Sequence, residues 1–220
     1  MAQDHFEELR RFLLDCEERA KDGHLALGDA IDGMGPSAFP FLCIIQSIPF
    51  VQPISLGPLA TAGGLGFAAL GWQMMKGADR PWIPRRLHDH EISARAWRLI
   101  LETSLRVVSL LRRISRPRLP QLVHSPKARS FGGFLVAFSG LLMAIPFMGL
   151  PLNNTLPALV ILLVSIGELE EDGLMVILAL FVLALTLAYF GLIFYVIFVL
   201  GGNAMDYLNG LWKALPGFGG

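Results

Sequence analysis

Apolar and polar positions alternate along the chain in blocks, and each block predicts an element. The first is an amphipathic helix. Phe6, Leu9, Phe12, Leu13 and Cys16 recur at spacings of three and four, while Glu7, Glu8, Arg10, Arg11 and Glu18 fill the other face. It is expected to pack on the protein's own cytoplasmic surface, with a place on the membrane surface as the alternative. Its acidity argues against direct adhesion to anionic lipid. The second block is apolar but interrupted. Phe39 to Phe50 gives 12 residues, or ~18 Å of helix at ~1.5 Å per residue, short of the ~30 Å hydrocarbon core of a bilayer. Pro49, Pro53, Gly57 and Pro58 then break the chain. Leu59 to Met75 follows as a second apolar helix rich in small residues, from Ala60 and Gly63 to Gly71. Such a face lets helix backbones approach closely in lipid. The block is a helical hairpin with a proline-rich turn, either re-entrant or fully crossing.

The third block, Pro81 to Arg129, is basic and amphipathic. Ile92, Trp97, Ile100, Leu101, Leu105, Val108 and Leu111 lie near one stripe, with Arg95, Arg98, Glu102, Arg106, Arg112 and Arg113 elsewhere. A charge at the centre of a span costs ~2.5–3.5 kcal/mol, so the segment is expected on the cytoplasmic face. The fourth block resembles the second: apolar from Phe131 to Leu150, a Pro/Asn-rich turn over Pro151 to Pro157, then apolar from Ala158 to Gly167. Ile48-Pro49-Phe50 matches Ile145-Pro146-Phe147 at an offset of 97, and Gly71 and Gly77 match Gly167 and Gly173 at 96. Pro53 and Pro58 match Pro151 and Pro157. The ordered series predicts a duplication. Because the linker is too charged to cross, both hairpins should enter from the cytoplasm, as parallel repeats about an axis along the membrane normal. Last comes Leu174 to Leu200, 27 residues without a charge, which must tilt or protrude as a span.

The expected organisation is one membrane domain over 1–220: an amphipathic N-terminal region (1–34), a first hairpin (36–77), a basic connector (78–130), a second hairpin (131–173), a long transmembrane helix (174–200) and an interfacial tail (201–220). The fold class is all-α and polytopic.

Composition supports this and removes other classes. Hydrophobic residues make up 54% and charged residues 16%, against ~25% charged in soluble domains, which excludes a disordered chain and disfavours a soluble enzyme. Cys16 and Cys43 are too few for a disulfide framework or a cysteine zinc site. The formal net charge of zero hides an asymmetry: residues 1–34 hold nine acids against four bases, residues 76–129 thirteen bases against four acids, and residues 130–212 no lysine or arginine. The basic middle is therefore expected inside. The start, Met1 to Leu9, is polar and acidic, so insertion should rely on internal apolar segments.

Ile48 to Leu87 resembles the ExoD family of bacterial exopolysaccharide-synthesis proteins, through Gly57-Pro58-Leu59, Gln73-Met74, Gly77 and Pro81-Trp82-x-Pro84. Arg116-Pro117-Arg118-Leu119, Pro146-Phe147, Asn154-x-x-Pro157-Ala158 and Glu171-Asp172-Gly173 extend the resemblance, as do the amphipathic start and Leu27-Gly28-Asp29 to Gly35. It implies a part in exopolysaccharide production and alkali tolerance; it implies no particular reaction.

Candidate chemistry is sparse. Gln73 is a strongly polar side chain in an apolar arm, suited to a substrate or ion contact or to an inter-helix hydrogen bond. Asn153 and Asn154 suit turn and capping roles, or a contact near mid-membrane, where the helix starts after Pro58 and Pro157 offer N–H groups to an anion. Glu168, Glu170, Glu171 and Asp172 form either a solvated turn facing the basic segment or a proton- or cation-coupling site. Glu168 leads because it directly follows an apolar run, and Asp172 follows the resemblance. Arg112, Arg113, Arg116 and Arg118 suit an anionic headgroup or a partner, or act as a topology signal beside the acidic N-terminus. His88-Asp89-His90-Glu91 is a poor metal motif, because alternate residues do not share a helix face. No P-loop, GxGxxG or nucleophile motif is present, so no enzyme, metal or cofactor is expected, and nucleic acid is not an expected partner. The expectation is an inner-membrane protein of exopolysaccharide synthesis or export, handling a small or lipid-linked substrate, in contact with membrane lipids and as a homo-oligomer. The alternatives are an ion or proton antiporter and a non-transporting scaffold.

Overall fold

The computed structural model describes residues 11–12, 14–19, 26–52, 56–89, 93, 95, 98, 102, 118–146 and 150–199. The described residues form helices and no strand. Residues 201–220, Arg112, Arg113, Arg116 and the rest of the connector over 103–117 lie outside them.

Prolines and glycines set the helix ends. α1 spans Leu27–Met34, and Gly35, at φ 56°, turns the chain into a 3-10 segment. α2 spans Ala38–Ser47 and passes into a 3-10 turn at Ile48–Phe50, where Pro49 has no N–H to continue the ladder. α3 spans Pro58–Met75, with Pro58 in its first turn and Gly57 at φ 53° before it. It ends where Gly77 takes φ 72° and Ala78 N donates to Gln73 O at 3.1 Å, a closure that needs a left-handed residue. After the short helices α4 (Arg85–His88) and α5 (Gln121–His124), α6 spans Pro126–Ala144. It starts five residues ahead of the apolar run at Phe131, because Ser125 Oγ accepts from Ala128 N at 3.0 Å and Pro126 presets the first turn. α7 spans Thr155–Leu169 and α8 Gly173–Val199.

The arms pack across hairpins as well as within them. α3 lies antiparallel to α6, and they meet at paired glycines. A Cβ on Gly64 would stand 2.5 Å from Gly140 O, and one on Gly71 would stand 2.5 Å from Gly133 O. Backbones this close leave no room for side chains, which accounts for the glycine-rich 61–71 run. α2 lies against α7, with Ile44 and Ile166 in one cluster. α7 also packs on α6 and α8. Phe39, Phe67, Leu135, Met143, Ile161 and Val164 fill the centre. Each such side chain stabilises by roughly 1.5–3 kcal/mol relative to water.

Outward faces are apolar. Leu59, Leu65 and Trp72 on α3, Phe131, Phe134 and Leu141 on α6, and Phe181, Leu192 and Phe198 on α8 are all exposed. Surfaces of this kind mark contact with lipid or protein. Among the described residues one helix, over Gly173–Val196, is long and apolar enough to cross a bilayer by length and composition.

Candidate functional site

Polar groups gather at the two ends of the bundle. At one end the start of α6 meets the ends of α3 and α7. Arg129 Nη2 donates to Ala78 O at 3.0 Å, and its guanidinium sits 5.7 Å from the Phe39 ring centre. Ser130 Oγ donates to Met75 O at 3.4 Å. A cleft of ≈ 170 Å³ opens here, lined by Pro36, Ser37, Pro40, Val123, Arg129, Glu168, Leu169 and Glu171.

Glu168 is the chemically distinctive member. Its Oε1 is sealed from solvent and has no hydrogen-bond partner. It occupies space that exists because residue 132 is glycine: a Cβ there would lie 2.3 Å from Oε1. The residue stands at the polar end of α7, outside the candidate span. Burial pushes its carboxyl up to about 7, and nearby Arg129 pulls the other way without forming an ion pair among the described residues. Glu171 has φ 57°, an unusual place for a non-glycine residue, and Asp172 N donates across it to Gly167 O at 2.9 Å. Asp172 is fully buried, and its Oδ1 accepts from Leu174 N at 3.0 Å, capping α8. Gly173 N donates to the main-chain oxygen of Arg118, whose side chain is exposed.

Gln73 stands near this end, half-buried. Its side chain clasps the returning loop: Trp82 N donates to Oε1 at 2.5 Å and Nε2 donates to Trp82 O at 3.3 Å. His88 lies within 3.6 Å of Asp32, which also faces Arg80 at 3.6 Å, so α4 is tied to α1. No cluster of metal-ligating side chains occurs among the described residues.

At the opposite end the hairpin turns meet. Thr155 Oγ1 donates to Gln52 O at 2.8 Å, and the Tyr189 hydroxyl donates to Pro151 O. Asn153 and Asn154 are both buried. Asn154 precedes α7 without capping it, and neither polar atom of its amide has a partner among the described residues. Between the ends, Ser139 on α6 keeps a buried hydroxyl without a partner among the described residues, and the buried Ser165 hydroxyl on α7 lies beside the Cys43 thiol.

The fold therefore brings Glu168 and Glu171 into one cleft with Arg129, sets Asp172 behind it as a cap, and leaves Asn153 and Asn154 at the far end. Gln73 belongs to a loop clasp. Arg129, Gly132, Ser139 and Ser165 join the candidate site from structure alone. A signal for three of them exists in the sequence: Arg129 stands with Lys127 where an apolar helix opens, and Ser139 and Ser165 are hydroxyls inside apolar runs.

The chain matches the family model described as "Exopolysaccharide synthesis, ExoD" over residues 9–192. It is 32% identical over 177 residues to Protein ExoD of Rhizobium meliloti, covering 80% of this chain and 73% of that one. It is 29% identical over 136 residues to an uncharacterized protein of Synechocystis sp., covering 62% and 63% respectively. No solved structure gives a significant match.

Proposed function

The chain belongs to the ExoD family of exopolysaccharide synthesis, and from that premise we propose that it is a multi-pass inner-membrane protein that handles a small polar substrate within its second hairpin. The exposed apolar faces of α3, α6 and α8 support immersion in lipid. Lysine and arginine resist translocation, so the basic connector lies on the cytoplasmic side and both hairpins enter from there. Parallel duplication is supported by the matched prolines and glycines of the two hairpins.

The observation that carries the transport reading is the set of buried polar atoms without partners. Ser139 Oγ, both amide atoms of Asn154 and Glu168 Oε1 all lie on the second hairpin. Each such group costs about 1–3 kcal/mol. A fold retains that cost where the groups meet a partner at another stage of a working cycle. A cleft of ≈ 170 Å³ suits a small solute better than a lipid-linked saccharide. The reading is non-enzymatic.

The test is complementation of a strain lacking the gene. Ser139→Ala and Asn154→Leu should abolish polysaccharide output at normal protein level. Full output from both variants would overturn the transport reading. If charge reversal at Arg112, Arg113, Arg116 and Arg118 were then the damaging change, a scaffold that recruits anionic lipid or a partner would replace it.

A further inference from the structure

We propose that Glu168 is a proton-binding site whose occupancy sets the position of the Arg129 guanidinium, so that the junction between the hairpins is latched when the carboxyl is protonated and released when it is ionised. The proposal goes beyond substrate handling and stands whether or not a solute moves through the second hairpin.

Arg129 starts α6 but is spent on the first hairpin. It donates to Ala78 O just after α3 and covers the Phe39 ring at the start of α2. One guanidinium thus ties both arms of the first hairpin to the second. Glu168 Oε1, across the same cleft, is sealed and unpartnered in its glycine-made recess. A neutral carboxyl tolerates this. A carboxylate does not, because an uncompensated buried charge is far costlier than an unpaired neutral group.

The groups facing Glu168 leave one compensator. Arg129 comes from α6, and Glu171, following α7, carries the wrong sign. From α2 comes Cys43, a fully buried thiol that supplies no cation. Val123 from α5 is apolar. Asp172, heading α8, is engaged as that helix's cap. When the proton leaves through the cleft to solvent, the guanidinium turns toward α7 and withdraws Nη2 from Ala78 O. No other bond changes. Burial of the carboxyl puts this event at about pH 7.

The full chain in lipid nanodiscs tests this with two readouts. Infrared difference spectra should show a carboxylic-acid band lost as pH rises through about 7, absent in Glu168→Gln. Hydrogen exchange of the 76–82 segment, corrected for intrinsic pH dependence, should rise about tenfold over the same interval in the wild type. It should stay slow at every pH in Glu168→Gln. Arg129→Gln should exchange fast throughout while its infrared band still titrates. A band unaffected by Glu168→Gln would overturn the proton site. A titrating band with unchanged exchange would overturn the latch.

Discussion

In the first hairpin, Gln46 donates to Gly63 O at 3.0 Å, Ser47 to Ile44 O at 2.8 Å, and Gln73 clasps the main chain of Trp82. In the second, Ser139, Asn154 and Glu168 keep sealed polar atoms without partners. The helix ends differ in the same sense. α3 closes on Gly77, which takes a left-handed φ freely, whereas α7 closes on Glu171, which does not. One hairpin is finished as a scaffold and the other carries unspent polarity and local strain. Parts of a fold that hold such costs are where function is to be sought.

The largest expected effect is at the glycine seam. Gly71→Ala puts a Cβ 2.4 Å from Ala137 N, main chain that cannot move aside, whereas Gly167→Ala meets Asp172 O only at 3.0 Å. Gly71→Ala should cost about 3 kcal/mol and Gly167→Ala about 1, read by thermal unfolding in detergent. Equal losses would remove the contrast between the two hairpins.

Next is Glu168→Gln. The folded carboxyl sits raised at about 7 from its ordinary 4.5. The folded state therefore favours the protonated form, and wild-type stability is present at low pH and lost as pH rises through about 7. Glu168→Gln should match the wild type near pH 4 and exceed it above pH 7 by on the order of 2–3 kcal/mol. A variant weaker than the wild type at high pH would contradict the burial argument.

Glu171→Gly relieves the left-handed position and should stabilise by about 1 kcal/mol, while Gly77→Ala should cost about as much. Chemical denaturation midpoints of both variants check the pair. The last pair sharpens the comparison most. Ser139→Ala removes a buried hydroxyl that bonds nothing and should stabilise by about 1 kcal/mol, whereas Ser47→Ala loses a buried bond and should cost about 1 kcal/mol.

Much of the helical layout was legible because prolines and glycines act locally. Pro49, Gly57-Pro58, Gly77 and Ser125-Pro126 stop or start helices by backbone chemistry that needs no tertiary context. The small residues of α3 announced close packing, but their partners on α6 could not be read without the antiparallel crossing. Glu168 could be singled out as an acid ending an apolar run. Its recess could not, since it depends on Gly132, a residue 36 positions earlier. Gln73 looked like a lone amide in an apolar arm because hydropathy cannot see a loop return to it. Arg129 was one cation among thirteen in its segment, and only packing aims it across two hairpins.

Cysteine reactivity tests the contrast between hairpins most directly. Single cysteines at Ser139, Ser165 and Ser47, in a chain lacking Cys16 and Cys43, would be exposed in native membranes to a small, charged thiol reagent. All three positions are fully buried. If the second hairpin opens to small polar solutes and the first is scaffold, Ser139→Cys and Ser165→Cys will react and Ser47→Cys will stay silent. Reaction at all three positions, or at Ser47→Cys alone, would contradict the account.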